Sequence, residues 1–420
     1  MGAIRRTRLF WCLTVLVVLS APGCSFAHAI VRHRKPEPRL RPTHKQVDLG
    51  GLTADKVALH LERLAALTRE VLNVYITKNR PTDPQYWSNG SFIATRGLSC
   101  WYCYDTAATA AAVISQEGRT DRQLRTIAIS TYSHAIRTYE LPSGEIIDAP
   151  GSDGVGTGFF AVQLGITYFE LKDYLSAPTR ALWVNAISRS ANWLISSGNL
   201  TYYINGNVNL RQSEVLWLAW AITGQHKYYM AYQQESQFTF TPTLPRWSGY
   251  GLRLVTAPTA PLGANGAGYL TESDPGPSGF DPSYTLTQLD TAASLYVLTR
   301  NQRYIWLMNV LFNQLRPLVN AGYILNAHGG TRKNDIVAFL TAAPFVLVMS
   351  GDRPDLSQFW VGQLSTMHAQ YVSAESFANT GYYLGLSSWL ALPLIDVQYP
   401  DGILGKQCSP KQSPKCAALF

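Results

Sequence analysis

A chain of 420 residues with 46% apolar and 15% charged residues is long enough for one large domain or two ordinary ones, and its composition excludes a disordered protein. The formal charge of +8 sits entirely at the front, in the three arginines of residues 1–29 and a net +5 over residues 30–45, so the body from residue 46 onward is about neutral. A neutral body lacks the basic face that nucleic-acid binding requires, and no nucleic-acid partner is expected.

Residues 1–29 read as an export signal. Arg5, Arg6 and Arg8 supply the charged start, Leu9 to Ser20 the apolar run, and Ala27-His28-Ala29 a small-x-small cleavage site. The apolar run is too short to span a membrane. Cys24 offers a lipid anchor as the alternative, although Ala21-Pro22-Gly23 is a poor match to the residues that precede a lipoprotein cysteine. The mature chain is therefore expected to be secreted or periplasmic. Residues 30–50 form a basic, Pro-containing tail, 51–398 the main domain, and 399–420 a C-terminal tail in which Cys408 and Cys416 are placed for a local disulfide, the default in an oxidising compartment. Cys100 and Cys103 make a CxxC without the second pair that metal sites show, so neither a metal nor a cofactor is expected.

From Leu52 the chain is a succession of helical patterns. Thr53 to Lys78 is a long amphipathic helix, ended by Asn79-Arg80-Pro81. An aromatic loop, Tyr86 to Tyr104, follows. Asp105 then caps a small, apolar helix, Thr106 to Ser115, and Asp121 starts a more polar one. The same two beats recur: Gly158 to Leu171 then Thr179 to Ser196; Gln212 to Ile222 then His226 to Gln237; Tyr284 to Leu298 then Gln302 to Asn320; Asn334 to Met349 then Asp355 to Val372; and last Tyr382 to Leu394. Asp281 is a good N-cap for the fourth apolar helix, with Pro282 in its first turn. Residues 238–280 are an insert, read as a long rim loop or a small β excursion.

A helix that is apolar all round is buried, whereas one with a polar face is exposed. About twelve helices that alternate in this way, at a spacing of roughly fifty residues, predict an all-α repeat architecture. The expected fold is an (α/α)6 toroid of six helical hairpins with an inner and an outer ring and one long insert loop. The inner helices would all point one way, so that the loops at their N-termini share one rim. Loops are where binding and catalysis are usually placed.

The polar candidates on that rim are Asp105, Asp153, Glu214, Glu272, Asp274, Asp281, Arg332, Asp335 and Glu375, with Asn207, Asn209, Arg211 and His328. Asp105, Asp281 and Glu375 also fit as helix N-caps. Glu214 and Asp335 fall within the first turn of an apolar helix, where a charge is costly unless it is paired or faces a cleft. Asp153 lies in the Gly-rich loop Ala149 to Gly156, whose backbone can come close to a ligand. With 23 Tyr and 11 Trp, rings suited to stacking sugars are plentiful, and Trp101, Tyr102 and Trp247 are the candidates for that task. Two carboxylates facing across a cleft are what glycoside hydrolysis requires: one protonates the leaving oxygen and the other activates water.

Four blocks carry a resemblance. Asp281-Pro-Ser-Tyr284 followed by Gln288-Leu289 resembles the Asn-Pro-Ser-Tyr…Gln-Leu segment of family-8 glycoside hydrolases, the cellulase and chitosanase group built as an inner–outer helical toroid. Ser152-Asp153-Gly154 is similar to that family's Ser-Glu-Gly, Ser213 to Ala221 to its Asp-Ala-Asp helix, and Asn334-Asp335 to its Tyr-Asp-Ala, in the same order over roughly residues 150–340. The resemblance implies inverting, endo-acting hydrolysis of a β-linked glucan-type polymer, with Asp153 as general acid, Asp335 as general base, and Glu214 and Tyr284 positioning sugar or water. Arg211, Asp105, Asp274, Asp281, His328 and Arg332 would complete the substrate-binding set. The chain departs from the family in having Asp where the acid is Glu, and in having Ala338 near the place of the Arg that follows the base. A polysaccharide lyase is the runner-up, using Asn209 or Arg332, His328 and Tyr284. A glycan-binding protein without activity is the third reading, since one fold hosts several functions.

Overall fold

The computed structural model describes residues 50–77, 101–116, 121–147, 154–197, 205–240, 251–272, 279–331, 336–370 and 390–404. The chain divides into two compact units, Met1–Thr43 and His44–Phe420, and all described residues belong to the second. The export signal, almost all of the basic tail, and Cys100, Cys408 and Cys416 lie outside them.

The protein is mostly helical. Twelve α-helices are present among the described residues: α1 (Ala54–Thr77), α2 (Trp101–Gln116), α3 (Arg122–Tyr139), α4 (Val155–Leu171), α5 (Ala177–Ser196), α6 (Gly206–Thr223), α7 (His226–Phe240), α8 (Pro282–Thr299), α9 (Gln302–Leu315), α10 (Ala343–Met349), α11 (Ser357–Gln370) and α12 (Leu392–Gln398). Two antiparallel hairpins interrupt them, β1 (Leu252–Thr256) with β2 (Ala267–Leu270), and β3 (Ile324–Ala327) with β4 (Ile336–Phe339). The insert thus holds a small β hairpin. No helix among the described residues is long and apolar enough to cross a membrane.

Several boundaries follow from local chemistry. Asp121 caps α3 by accepting from Leu124 N at 3.0 Å. Ser176 caps α5 through Thr179 N, with a proline in the first turn. Asp281 caps α8 by accepting from Ser283 N and Tyr284 N, with Pro282 at the first helical position, where its missing N–H costs nothing. Gly224 ends α6 at φ +70°, the left-handed conformation a helix C-terminus often adopts.

Three expected boundaries are corrected. The second helix begins at Trp101, so Asp105 lies inside α2 and is not its cap. The helix expected from Gln212 begins at Gly206, which puts Asn207, Asn209 and Arg211 inside the helix and Glu214 in its third turn instead of the first. Its opening N–H groups are satisfied from afar: Gly206 N donates to Thr271 O at 2.9 Å, and Asn207 N donates to Glu272 Oε1 at 2.8 Å. Residues 336–339, expected to be helical, form β4, paired with β3 in the register Ile324↔Phe339 to Ala327↔Ile336. The helix starts only at Ala343, where Pro344 occupies the first turn. The first turn of that helix therefore lies at Ala343 and not at Asp335, which itself lies outside the described residues.

Alternate helices pack on one another, α2 on α4, α4 on α6, α6 on α8 and α8 on α10, and each of these five also packs on the helix that follows it. Where their side chains are described, the first four are buried almost throughout: α6 hides Val215, Leu216, Trp217, Leu218, Ala219 and Trp220 in succession. Direction can be read from paired contacts. A Cβ built on Gly158 would stand 3.9 Å from Arg211 Cγ, and one on Gly165, two turns further along α4, would stand 3.0 Å from Leu218 Cδ1, two turns further along α6. Arg211 meets Asp290 of α8, and Glu214, one turn on, meets Ser294, one turn on. Order is preserved in both cases, so α4, α6 and α8 run parallel, with their N-termini at one end.

Candidate functional site

At the shared N-terminal end, each of the three parallel helices is entered differently. Gly154 leads into α4 at φ +75°, and a Cβ there would fall 2.2 Å from the ring of Trp193, so only glycine fits. Asn205 precedes α6, whose first turn is tied to the end of β2. Glu272 is fully buried; besides Asn207 N, its Oε1 accepts from Gln288 Nε2 at 2.6 Å, and Gln288 also clasps the Leu270 backbone in both directions. At α8, Asp281 is buried. One oxygen caps the helix and the other accepts from Thr331 Oγ1 at 3.2 Å. Gly330 packs so closely on Asp281 that a Cβ would lie 2.8 Å from its carboxylate. The segment that follows β3 is thereby held against the mouth of α8. Tyr284 stands half-buried in the first turn, and His328 is exposed.

Deeper along the parallel helices lies a charged cluster. Arg211 Nη1 donates to Glu214 Oε2 at 2.8 Å and Nη2 to Asp290 Oδ2 at 3.1 Å, while Ser294 Oγ donates to Glu214 Oε1. The guanidinium also lies 5.3 Å from the ring centre of Phe159. All four polar residues are buried. One cation with two carboxylates leaves an excess negative charge away from bulk solvent, which is costly. Burial accordingly pushes the Glu214 carboxyl up to about 7, although Arg211 and Ser294 pull the other way. For Arg211, burial favours the neutral form, but the two carboxylates outweigh it and hold the guanidinium above its ordinary value. Beside the cluster is a cavity of about 10 Å3 lined by Thr109 of α2, Gln163 and Ile166 of α4, Arg211, Asp290 and Ser294, and Leu392 and Ile395 of α12.

Of the residues expected from sequence, the structure brings Arg211 and Glu214 into this cluster and places Tyr284 and Asp281 together at the head of α8. Asp281 is taken up as cap and tie, the N-cap alternative already noted for it. Asp153, Trp247, Asp274, Arg332, Asp335 and Glu375 lie outside the described residues, as do the side chains of Trp101, Tyr102 and Asp105. Sequence reasoning missed Asp290 and Ser294. The signal was there, because Asp290 is a charge in the middle of an apolar helix, the same argument that singled out Glu214. Among the described residues no group of three or more His, Cys, Asp or Glu is placed to hold a metal ion.

The fold and the cluster together define a mostly helical protein whose alternate helices converge on a buried Arg–Glu–Asp group. No family model, no curated protein and no solved structure matches the chain.

Proposed function

We propose that the chain is an exported enzyme of the six-hairpin helical toroid type that hydrolyses a polysaccharide with inversion. The observation that carries the reading is the parallel course of α4, α6 and α8, which gathers the segments preceding them at one end. The succession α2, α4, α6, α8, α10, each with its own hairpin partner, is what an inner ring with an outer ring behind it requires. Asp153, next to Gly154 in the chain, is the general acid in this reading, and Asp335, next to the first residue of β4, the general base. Tyr284 contributes a ring and a hydroxyl at the head of α8. Glu214, already engaged by Arg211 and Ser294, acts by fixing the floor beneath the sugar. Trp101, Tyr102 and Trp247 stack sugar rings. The preferred substrate is a neutral β-linked glucan, because the body of the chain is about neutral and its net charge gives no reason to expect an acidic polymer.

The test is a screen of neutral and acidic polysaccharides, read both for new reducing ends and for the absorbance of unsaturated products. Reducing ends lost in Asp153→Asn and in Asp335→Asn, with unchanged circular dichroism, support the assignment. Full activity in either variant removes that residue from its role. Unsaturated products establish a lyase instead, and binding without turnover establishes a glycan-binding protein.

A further inference from the structure

The cavity beside Arg211 is lined by residues from five helices, and two of its lining side chains have unmet hydrogen-bonding capacity. Arg211 uses Nη1 and Nη2 on the two carboxylates, but its Nε–H has no acceptor among the described residues. Gln163 is 8% exposed, and its Oε1 has no donor among the described residues. A buried donor or acceptor left unsatisfied is costly, so two around one cavity demand an explanation. The volume, about 10 Å3, matches the space one water needs. An anion is excluded by Glu214 and Asp290, and a cation by the guanidinium edge that lines the same space. Water supplies an acceptor and donors together.

We propose that this cavity is a fixed-water site in which one water accepts from Arg211 Nε and donates to Gln163 Oε1. Its second hydrogen goes to the carboxylate of Asp290, which also lines the cavity and whose two oxygens can accept several hydrogen bonds. Three bonds are what buried waters ordinarily make. Of the remaining walls among the described residues, Ile166, Leu392 and Ile395 are apolar, while the hydroxyls of Thr109 and Ser294 are already engaged, Thr109 with Tyr132 and Thr167 and Ser294 with Glu214. This water links α4 to α6 and α8 at the level of the charged cluster, and it stands whether or not the chain acts on a glycan.

A high-resolution crystal structure of the whole chain is expected to show a single peak at ~2.7–3.2 Å from Arg211 Nε, Gln163 Oε1 and an Asp290 oxygen. An empty cavity, or a peak that touches neither Arg211 nor Gln163, overturns the proposal. In solution, oxygen-17 relaxation dispersion counts long-lived internal waters, and Gln163→Leu is expected to lower that count by one. An unchanged count in the folded variant also overturns it. The wild-type crystal structure decides the matter should Gln163→Leu not fold.

Discussion

Arg211 of α6 and Asp290 of α8, 79 residues apart in the chain, meet at 3.1 Å in the interior. Neither has an exposed surface on which to rest. Removing the cation leaves Asp290 buried with its counter-charge gone, and breaking a buried pair by deleting one partner costs about 3–5 kcal/mol. Arg211→Met is therefore expected to lower stability in urea by about that amount. Pairing it with Glu214→Leu and Asp290→Leu should recover most of the loss, because the triple variant buries no charge. Equal losses in the single and triple variants would show that packing, not charge, sets the cost.

Glu214 makes stability depend on pH in a direction opposite to the usual carboxylate. Its folded value of about 7 lies above the ordinary 4.5, so the native state favours the protonated form. Its contribution is fully present below about 4.5 and is lost as pH rises through about 7, on the order of 3 kcal/mol in all. Denaturation midpoints measured from pH 5 to pH 8 should fall for the wild type and fall less steeply for Glu214→Gln.

Glu235 on α7 adds to the same trend. Burial alone pushes its carboxyl well above the ordinary range, and its Oε1 has no hydrogen-bond partner among the described residues. Glu235→Gln is expected to leave stability at pH 4 nearly unchanged and to raise it at pH 8, where ionisation penalises the native wild type. Destabilisation by this substitution at both pH values would contradict the account.

Asp281 joins the α8 cap to Thr331. Asp281→Ala should lose the cap, about 1 kcal/mol, and the tie to Thr331 as well. Thr331→Val removes only the tie. Hydrogen exchange separates the two: both variants should speed exchange at Gly330 and Thr331, and only Asp281→Ala should speed it at Ser283 and Tyr284.

Gly165 sets how closely α4 approaches α6. An added Cβ would stand 3.0 Å from Leu218 Cδ1 and 3.2 Å from its Cβ, so the contact is already tight. Gly165→Val overpacks it and is expected to cost about 1–3 kcal/mol, as extra methyl groups in a packed core do. Leu218→Ala should relieve part of that cost in the double variant.

The alternation of wholly apolar and half-polar helices, the caps at Asp121 and Asp281 and the place of the insert were legible in the sequence. Each is encoded within a few residues, by periodicity or by a side chain that bonds its own turn. Asn334 to Met349 reads as one helix, because the apolar run Ile336 to Phe339 reads the same as helix or strand until its partner is known. Only the tertiary structure decided that this run pairs with Ile324 to Ala327, that α6 opens at Gly206 because Thr271 and Glu272 receive its first N–H groups, and that Arg211 is shared between Glu214 and Asp290. The partners in two of these cases lie 65 and 79 residues away, and a hydrogen bond that long in sequence leaves no mark on the local pattern.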